Sequence, residues 1–260
     1  MEDIMEINDT YELGGKEFSS RYILGSGKYS VELIDAAIHQ AGAEMITVAI
    51  RHSGNAQAAS ILKHIPKNIT LLPNTNGATN VEEAVKIARL AREMGCGNFV
   101  KLEIMRDRKY LLPDNYATIQ ATEILAKEGF VVLPYMYPDL QVAYDLKEAG
   151  ASAIMPLAAP IGSNKGLVTK EFIRMIIKEI DLPVIVDAGI GVPSQAAEVM
   201  EMGATAVMAN TGVATANDIL LMAKAFKLGI EAGRAAYLAG PGRVLLDGAA
   251  PSSPKRDDEK

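Results

Sequence analysis

One lysine in this chain has neighbours that could turn it to carbonyl chemistry. The segment Phe99-Val100-Lys101-Leu102-Glu103-Ile104 reads as a β-strand. Side chains alternate along a strand, so Lys101 and Glu103 share one face while Val100, Leu102 and Ile104 share the other. The aliphatic face suits packing against helices, which turns Lys101 and Glu103 inward. Burial disfavours an ammonium, and the expected consequence is a lowered pKa and a neutral amine able to attack a ketone. Glu103 is placed to orient that amine or to move protons. An interior ion pair with no chemistry is the bland alternative. A second carboxylate, Asp187, ends the run Pro183-Val184-Ile185-Val186-Asp187. It could serve as a further acid or base, or simply cap the loop that follows.

Small, polar turns accompany these residues. Ala188-Gly189-Ile190-Gly191 leads through Pro193-Ser194 into a helical pattern. Asn210-Thr211-Gly212 and Pro160-Ile161-Gly162-Ser163-Asn164-Lys165-Gly166 are turns of the same kind. Glycines let backbone N–H groups approach an anion, so the three loops together suggest a phosphate site. Tight turns with no ligand would look similar. Gly25-Ser26-Gly27-Lys28 resembles part of a nucleotide-binding loop but lacks its first glycine, and fits a loop above the first strand better. Arg51-His52 could reach a substrate or lie in solvent, and Asn74-Thr75-Asn76-Gly77 is a turn that could line the pocket. Cys96 follows a helix on the side away from this chemistry, and the 12 methionines read as core filler.

The elements that must position these residues form a repeat. A helical pattern, a glycine, a small residue and a short apolar run recur around Gly42, Gly95, Gly129, Gly150 and Gly203. A glycine just past a helix can adopt the left-handed conformation that ends it. Runs that are apolar throughout are parallel strands covered on both faces. Eight are expected, near 21–25, 45–50, 69–73, 99–104, 131–135, 153–157, 183–188 and 206–210. Helical patterns follow most of them; 51–68 is ambiguous. The fold class is therefore α/β, a single-domain (β/α)8 TIM barrel over 1–245 with a short N-terminal extension. An open doubly wound sheet would leave two or three strands without a place. Residues 246–260, rich in Pro, Ser and charge, are expected to form a disordered tail. In a barrel of this kind the active site lies at the C-terminal ends of the strands, and phosphate at the loops after strands 7 and 8.

Composition narrows the function. A net charge of −6 argues against nucleic acid as a partner. One cysteine excludes an internal disulfide or a multi-cysteine cage, and neither HExxH nor CxxC occurs, so no metal is expected. No apolar run approaches the roughly 20 residues of a membrane span. The expectation is a cytoplasmic protein.

Seven ordered segments carry a family likeness. They are Ile23 to Tyr29, Leu71 to Thr75, Val100 to Glu103, Met155-Pro156-Leu157, Pro160 to Ser163, Val186 to Gly191 and Asn210-Thr211. Over about residues 15–245 the chain resembles the thiazole synthases of bacterial thiamin biosynthesis. That resemblance implies condensation of 1-deoxy-D-xylulose 5-phosphate with dehydroglycine and sulfur, the sulfur coming from a small carrier protein as its thiocarboxylate. It implies an imine on Lys101, proton transfers by Glu103 and Asp187, and phosphate binding at Gly162, Ala188, Gly189, Asn210 and Thr211. It implies a transferase with no organic cofactor, assembled as a homotetramer or homodimer. Two departures stand out. Asn76-Gly77-Ala78 replaces the usual Ala-Gly-Cys, and Arg51-His52 stands where two arginines are more common. The rivals are a class I aldolase-like lyase, using the same lysine and loops, and a silent phosphate-binding scaffold that forms no imine.

Overall fold

Each apolar run expected to be a strand is one. The structure, a computed structural model, describes residues 9–25, 30–49 and 64–244. It begins with an antiparallel hairpin, β1 (Tyr11–Leu13) and β2 (Lys16–Phe18). Eight parallel strands follow: β3 (Tyr22–Leu24), β4 (Met45–Ala49), β5 (Thr70–Asn74), β6 (Phe99–Leu102), β7 (Val131–Met136), β8 (Met155–Pro156), β9 (Ile185–Val186) and β10 (Ala206–Ala209). Their order is β8-β7-β6-β5-β4-β3-β10-β9. Parallel bridges Ile154–Val184 and Leu157–Asp187 join the two ends of that order. The sheet is therefore closed into a barrel, which removes the open-sheet alternative.

Helices cover the outside: α1 (Val31–Asp35), α2 (Val81–Glu93), α3 (Asn115–Lys127), α4 (Leu140–Glu148), α5 (Lys170–Glu179), α6 (Pro193–Glu201), α7 (Thr211–Ala214) and α8 (Ile219–Ala239). Their starts follow from side-chain caps. Asn80, Asp114, Asp139 and Asp218 each accept a backbone N–H from the first turn of α2, α3, α4 and α8. Their ends follow from the repeat, since Gly42, Gly95, Gly129, Gly150 and Gly203 all have positive φ. The pattern expected as one helix over 31–40 splits, with a π-helical turn at Ala36–Gln40.

Strand parity sorts the two sides of the wall. Val100, Leu102 and Ile104 pack with Ala84, Ala88, Ala117 and Leu125 of the helices. Interior positions form a second cluster containing Ile23, Met45, Leu72, Leu133, Met155, Ile185 and Met208. Leu13 and Phe18 of the hairpin join that cluster, and Phe18 meets Phe99, at the start of β6, edge-on at 6.3 Å. The hairpin thus plugs the N-terminal end of the barrel and leaves the other end for chemistry. The expected strands did not include this hairpin, because three-residue strands leave little alternation to read.

A charge cluster clamps the plug. Asp9 accepts from Arg21 and Arg234, each through two nitrogens at 2.8–2.9 Å. The Arg234 hydrogen bond, with Arg21 assisting against burial, holds the Asp9 pKa down to about 2 from 3.8. A depressed carboxyl stabilises the fold above its unfolded pKa and loses that contribution as pH falls through the folded value. Asp9→Asn is expected to lower stability at pH 7 by about 1–2 kcal/mol, less than the full shift because the cluster is partly solvated. The gap between variant and wild type closes as pH falls from about 4 towards 2. Urea melts across that window check it. The ambiguous stretch 51–68 lies mostly, and the tail 246–260 entirely, outside the described residues.

Candidate active site

The closed barrel brings the three chemistry-bearing residues to one point. Lys101 is the third residue of β6, and Glu103 lies just past its end. Asp187 lies across the barrel, directly after β9. Lys101 Nζ sits 2.9 Å from Glu103 Oε1 and 2.5 Å from Asp187 Oδ2. All three are buried, with relative exposures of 4%, 2% and 4%. The Met208 thioether lies 3.3 Å from the same nitrogen, and the Tyr135 ring centroid 5.5 Å from it.

The electrostatics overturn one expectation. Burial alone pulls the Lys101 pKa down, but Asp187 and then Glu103 more than reverse it and hold it above the ordinary lysine value. The resting group is an ammonium, not the neutral amine expected from desolvation. Chemistry that needs a free amine would have to make it on site, by passing a proton to a carboxylate already in contact. Burial pushes the Glu103 carboxyl up, Lys101 pulls it back, and the Asp187 charge adds to the rise. One cation between two carboxylates leaves room for a shared proton, the condition a relay needs.

Neighbouring turns fix these groups. Thr75 Oγ1 accepts from Glu103 N and donates to Glu103 O, both at 2.8 Å, and Thr75 N donates to Lys101 O at 3.1 Å. The turn after β5 thus staples the end of β6 and holds the Glu103 backbone. Asp187 divides its oxygens, with Oδ1 accepting Ala188 N–H at 2.6 Å while Oδ2 faces Lys101. The loop-capping reading and the reactive reading therefore describe two oxygens of one carboxyl.

A pocket opens above this group. Its lining includes Lys101, Glu103, Asp187 and all five residues expected for phosphate: Gly162, Ala188, Gly189, Asn210 and Thr211. Loop contacts hold it together. Gly166 N donates to Gly189 O at 2.7 Å, and Gln195 Oε1 accepts from Gly191 N at 2.8 Å. Gly189 has φ +77°, and a Cβ there would come within 2.9 Å of the Ala159 backbone, so no side chain fits. Among the described residues, the N–H groups of Gly162, Gly189 and Ile190 meet no acceptor, which suits them to an anion. Ala188 differs, since its N–H is already spent on Asp187. Asn210 commits its amide Nδ2 to Gly25 O at 2.8 Å.

Sequence reading missed several lining residues. Ile161, Asn164 and Ile190 sit inside loops it had singled out, while Met208 had been counted as core filler. Tyr135, buried behind the pocket wall and not part of its lining, was hidden in an apolar strand, although the interior parity of Val131, Leu133 and Tyr135 points to it. Asn76 and Gly25, read as turn and loop residues, do line the pocket. Arg51-His52 and Ser26 to Tyr29 lie outside the described residues. Among the described residues no group of three potential metal ligands occurs, and no helix is long and apolar enough to cross a membrane.

Comparison with known proteins gives the family. The family model described as thiazole biosynthesis protein ThiG matches residues 12–254. A thiazole synthase of Fusobacterium nucleatum is 68% identical over 248 residues, covering 95% of this chain and 96% of its own. A thiazole synthase of Clostridium beijerinckii is 68% identical over 246 residues, with the same coverage. Among solved structures, the Amycolatopsis orientalis BexX/CysO complex contains a chain of TM-score 0.83 and 32% identity. The match covers 91% of this chain and 98% of that one. A thiamine phosphate pyrophosphorylase from Pyrococcus furiosus, at TM-score 0.55 and 16% identity, shares the fold alone; it covers 82% of this chain and 95% of its own. With a family match along nearly its whole length and relatives two-thirds identical to it, the chain belongs to the ThiG family of thiazole biosynthesis enzymes.

Proposed function

We propose that this chain makes the thiazole phosphate unit of thiamin, a transferase reaction. It would combine 1-deoxy-D-xylulose 5-phosphate, held as an imine on Lys101, with dehydroglycine and sulfur from the thiocarboxylate of a small carrier protein. The observation that carries this reading is Lys101 Nζ, buried between Glu103 and Asp187 beneath a pocket walled by glycine-rich loops. Lys101 gives a proton to a contacting carboxylate, and the freed amine adds to the sugar ketone. The carbinolamine then loses water to give the imine. The imine acidifies the adjacent carbon, and the two carboxylates take up and return the protons of the ensuing tautomerisations. Gly162, Gly189 and Thr211 present backbone to the sugar phosphate, with Ala188 and Asn210 shaping its cradle. No organic cofactor is needed for these steps.

The relatives named thiazole synthase support the product, and the neighbour solved with CysO supports a protein partner. The resemblance further suggests a cytoplasmic homotetramer or homodimer. An aldolase-like lyase would use the same lysine and phosphate loops, so the sulfur donor separates the two. Reconstitution with the sugar phosphate, dehydroglycine and a thiocarboxylated carrier should yield thiazole phosphate, and the carrier in its carboxylate form should yield none. Cleavage of the sugar without a carrier would instead favour the lyase.

A further inference from the structure

Three buried side-chain atoms beside Lys101 make no hydrogen bond among the described residues; Asp187 Oδ2 has its ion pair with Lys101, which leaves Glu103 Oε2 and Tyr135 Oη. They belong to neighbouring strands. Lys101 pairs with Leu133 and Leu102 with Pro134. One further step sets Glu103 beside Tyr135, both on the parity that faces the interior. Both also border the same ammonium, Glu103 through Oε1 at 2.9 Å and Tyr135 through its ring at 5.5 Å to the centroid. Tyr135 is fully buried and packs with Met105 and Leu157, behind the pocket-lining Ile161 and Ala188.

A buried hydroxyl without a partner is a standing cost that phenylalanine would avoid. The two orphan atoms are opposite in kind, since an ionised carboxylate oxygen only accepts and a phenol can donate. Burial, then the charges of Asp187 and Glu103, push the Tyr135 pKa far up, so it stays a neutral donor. A group that both donates and accepts would satisfy the pair at once. A sugar hydroxyl is such a group. When a ketone joins Lys101, the hydroxyl on the next carbon is three bonds from Nζ, so it stays within about 4 Å of it whatever the intervening torsion. Attachment therefore places that hydroxyl beside Nζ, the atom that Glu103 and the Tyr135 ring both border.

We propose that Tyr135 is a specificity-determining residue that, with Glu103 Oε2, brackets the hydroxyl adjacent to the ketone, the phenol donating to it and the carboxylate accepting from it. The inference rests on the imine reading above and goes beyond it. It makes the site selective for α-hydroxy ketones over plain ketones.

The test compares 1-deoxy-D-xylulose 5-phosphate with its analogue lacking the hydroxyl next to the ketone, on wild type and Tyr135→Phe. Calorimetric affinity and borohydride-trapped adduct are read for each pair. Wild type should favour the hydroxylated sugar by about tenfold, the worth of one good hydrogen bond. In Tyr135→Phe that preference should shrink to about twofold or less, with a melting temperature no lower than wild type. A preference retained in Tyr135→Phe overturns the proposal. Equal binding of both sugars by wild type also overturns it, and leaves a buried water as the partner of the orphans. Failure of the parent reading looks different: the sugars bind and discriminate, but no adduct forms on Lys101.

Discussion

Lys101→Ala is expected to lose turnover by on the order of 10^3-fold or more, because no other amine is described in the pocket to take its place. The same change should also destabilise the fold. It leaves Glu103 and Asp187 buried without their cation, a situation that costs about 3–5 kcal/mol. The pH dependence of that cost is informative. Without Lys101 to pull it back, the buried Glu103 carboxyl holds its proton more tightly than in the unfolded chain, so the variant regains stability as pH falls. Chemical denaturation between pH 8 and 5 should show the variant approaching wild type at the acidic end. Activity should stay absent at every pH where circular dichroism shows it folded. Loss of stability with activity preserved would mean that Lys101 is only the centre of a structural ion cluster.

Glu103→Gln carries the second large effect. The amide keeps the shape and the Thr75 staple, which uses only the Glu103 backbone, but cannot accept a proton. Turnover should fall by about 10^2- to 10^4-fold, the usual scale for a lost general acid–base group. The wild-type profile should identify the group. Burial holds the Glu103 pKa above 4.5, so kcat should decline on the acid side through a value above the ordinary glutamate range. Below that value the carboxyl is protonated and no longer accepts. Glu103→Gln should remove that limb from the residual activity. Single-turnover rates at saturating sugar, compared in both proteins, would place the loss in the chemistry and not in binding.

The barrel was legible because its signals are local. Apolar runs after Gly42, Gly95, Gly129, Gly150 and Gly203 mark the strands, and parity along Phe99–Glu103 alone sends Lys101 inward. The meeting of Lys101 with Asp187 needed barrel closure, since 86 positions of chain separate residues 101 and 187. Three things were not legible, each for a physical reason. The hairpin plug has strands too short to show alternation, and its fit depends on Leu13 and Phe18 reaching the interior cluster. The protonation state of Lys101 is a contest between burial and two carboxylates, which only distances of 2.9 and 2.5 Å decide. Tyr135 looks like any apolar strand residue until its hydroxyl is found buried without a partner.

The departures from the family pattern now have different standing. Asn76 lines the pocket and the adjoining Thr75 anchors Glu103, so the change from Ala-Gly-Cys lies at the rim of the site. The Arg51-His52 departure lies outside the described residues.

The claim on which all of this depends is a covalent one, that Lys101 takes the sugar as an imine. Borohydride reduction of wild type with 1-deoxy-D-xylulose 5-phosphate, followed by peptide mass spectrometry, tests it most directly. The account predicts one sugar adduct, on the peptide containing Lys101 and absent from Lys101→Ala. Saturating sugar binding with no reducible adduct on that peptide would contradict it and favour the scaffold that binds phosphate without chemistry.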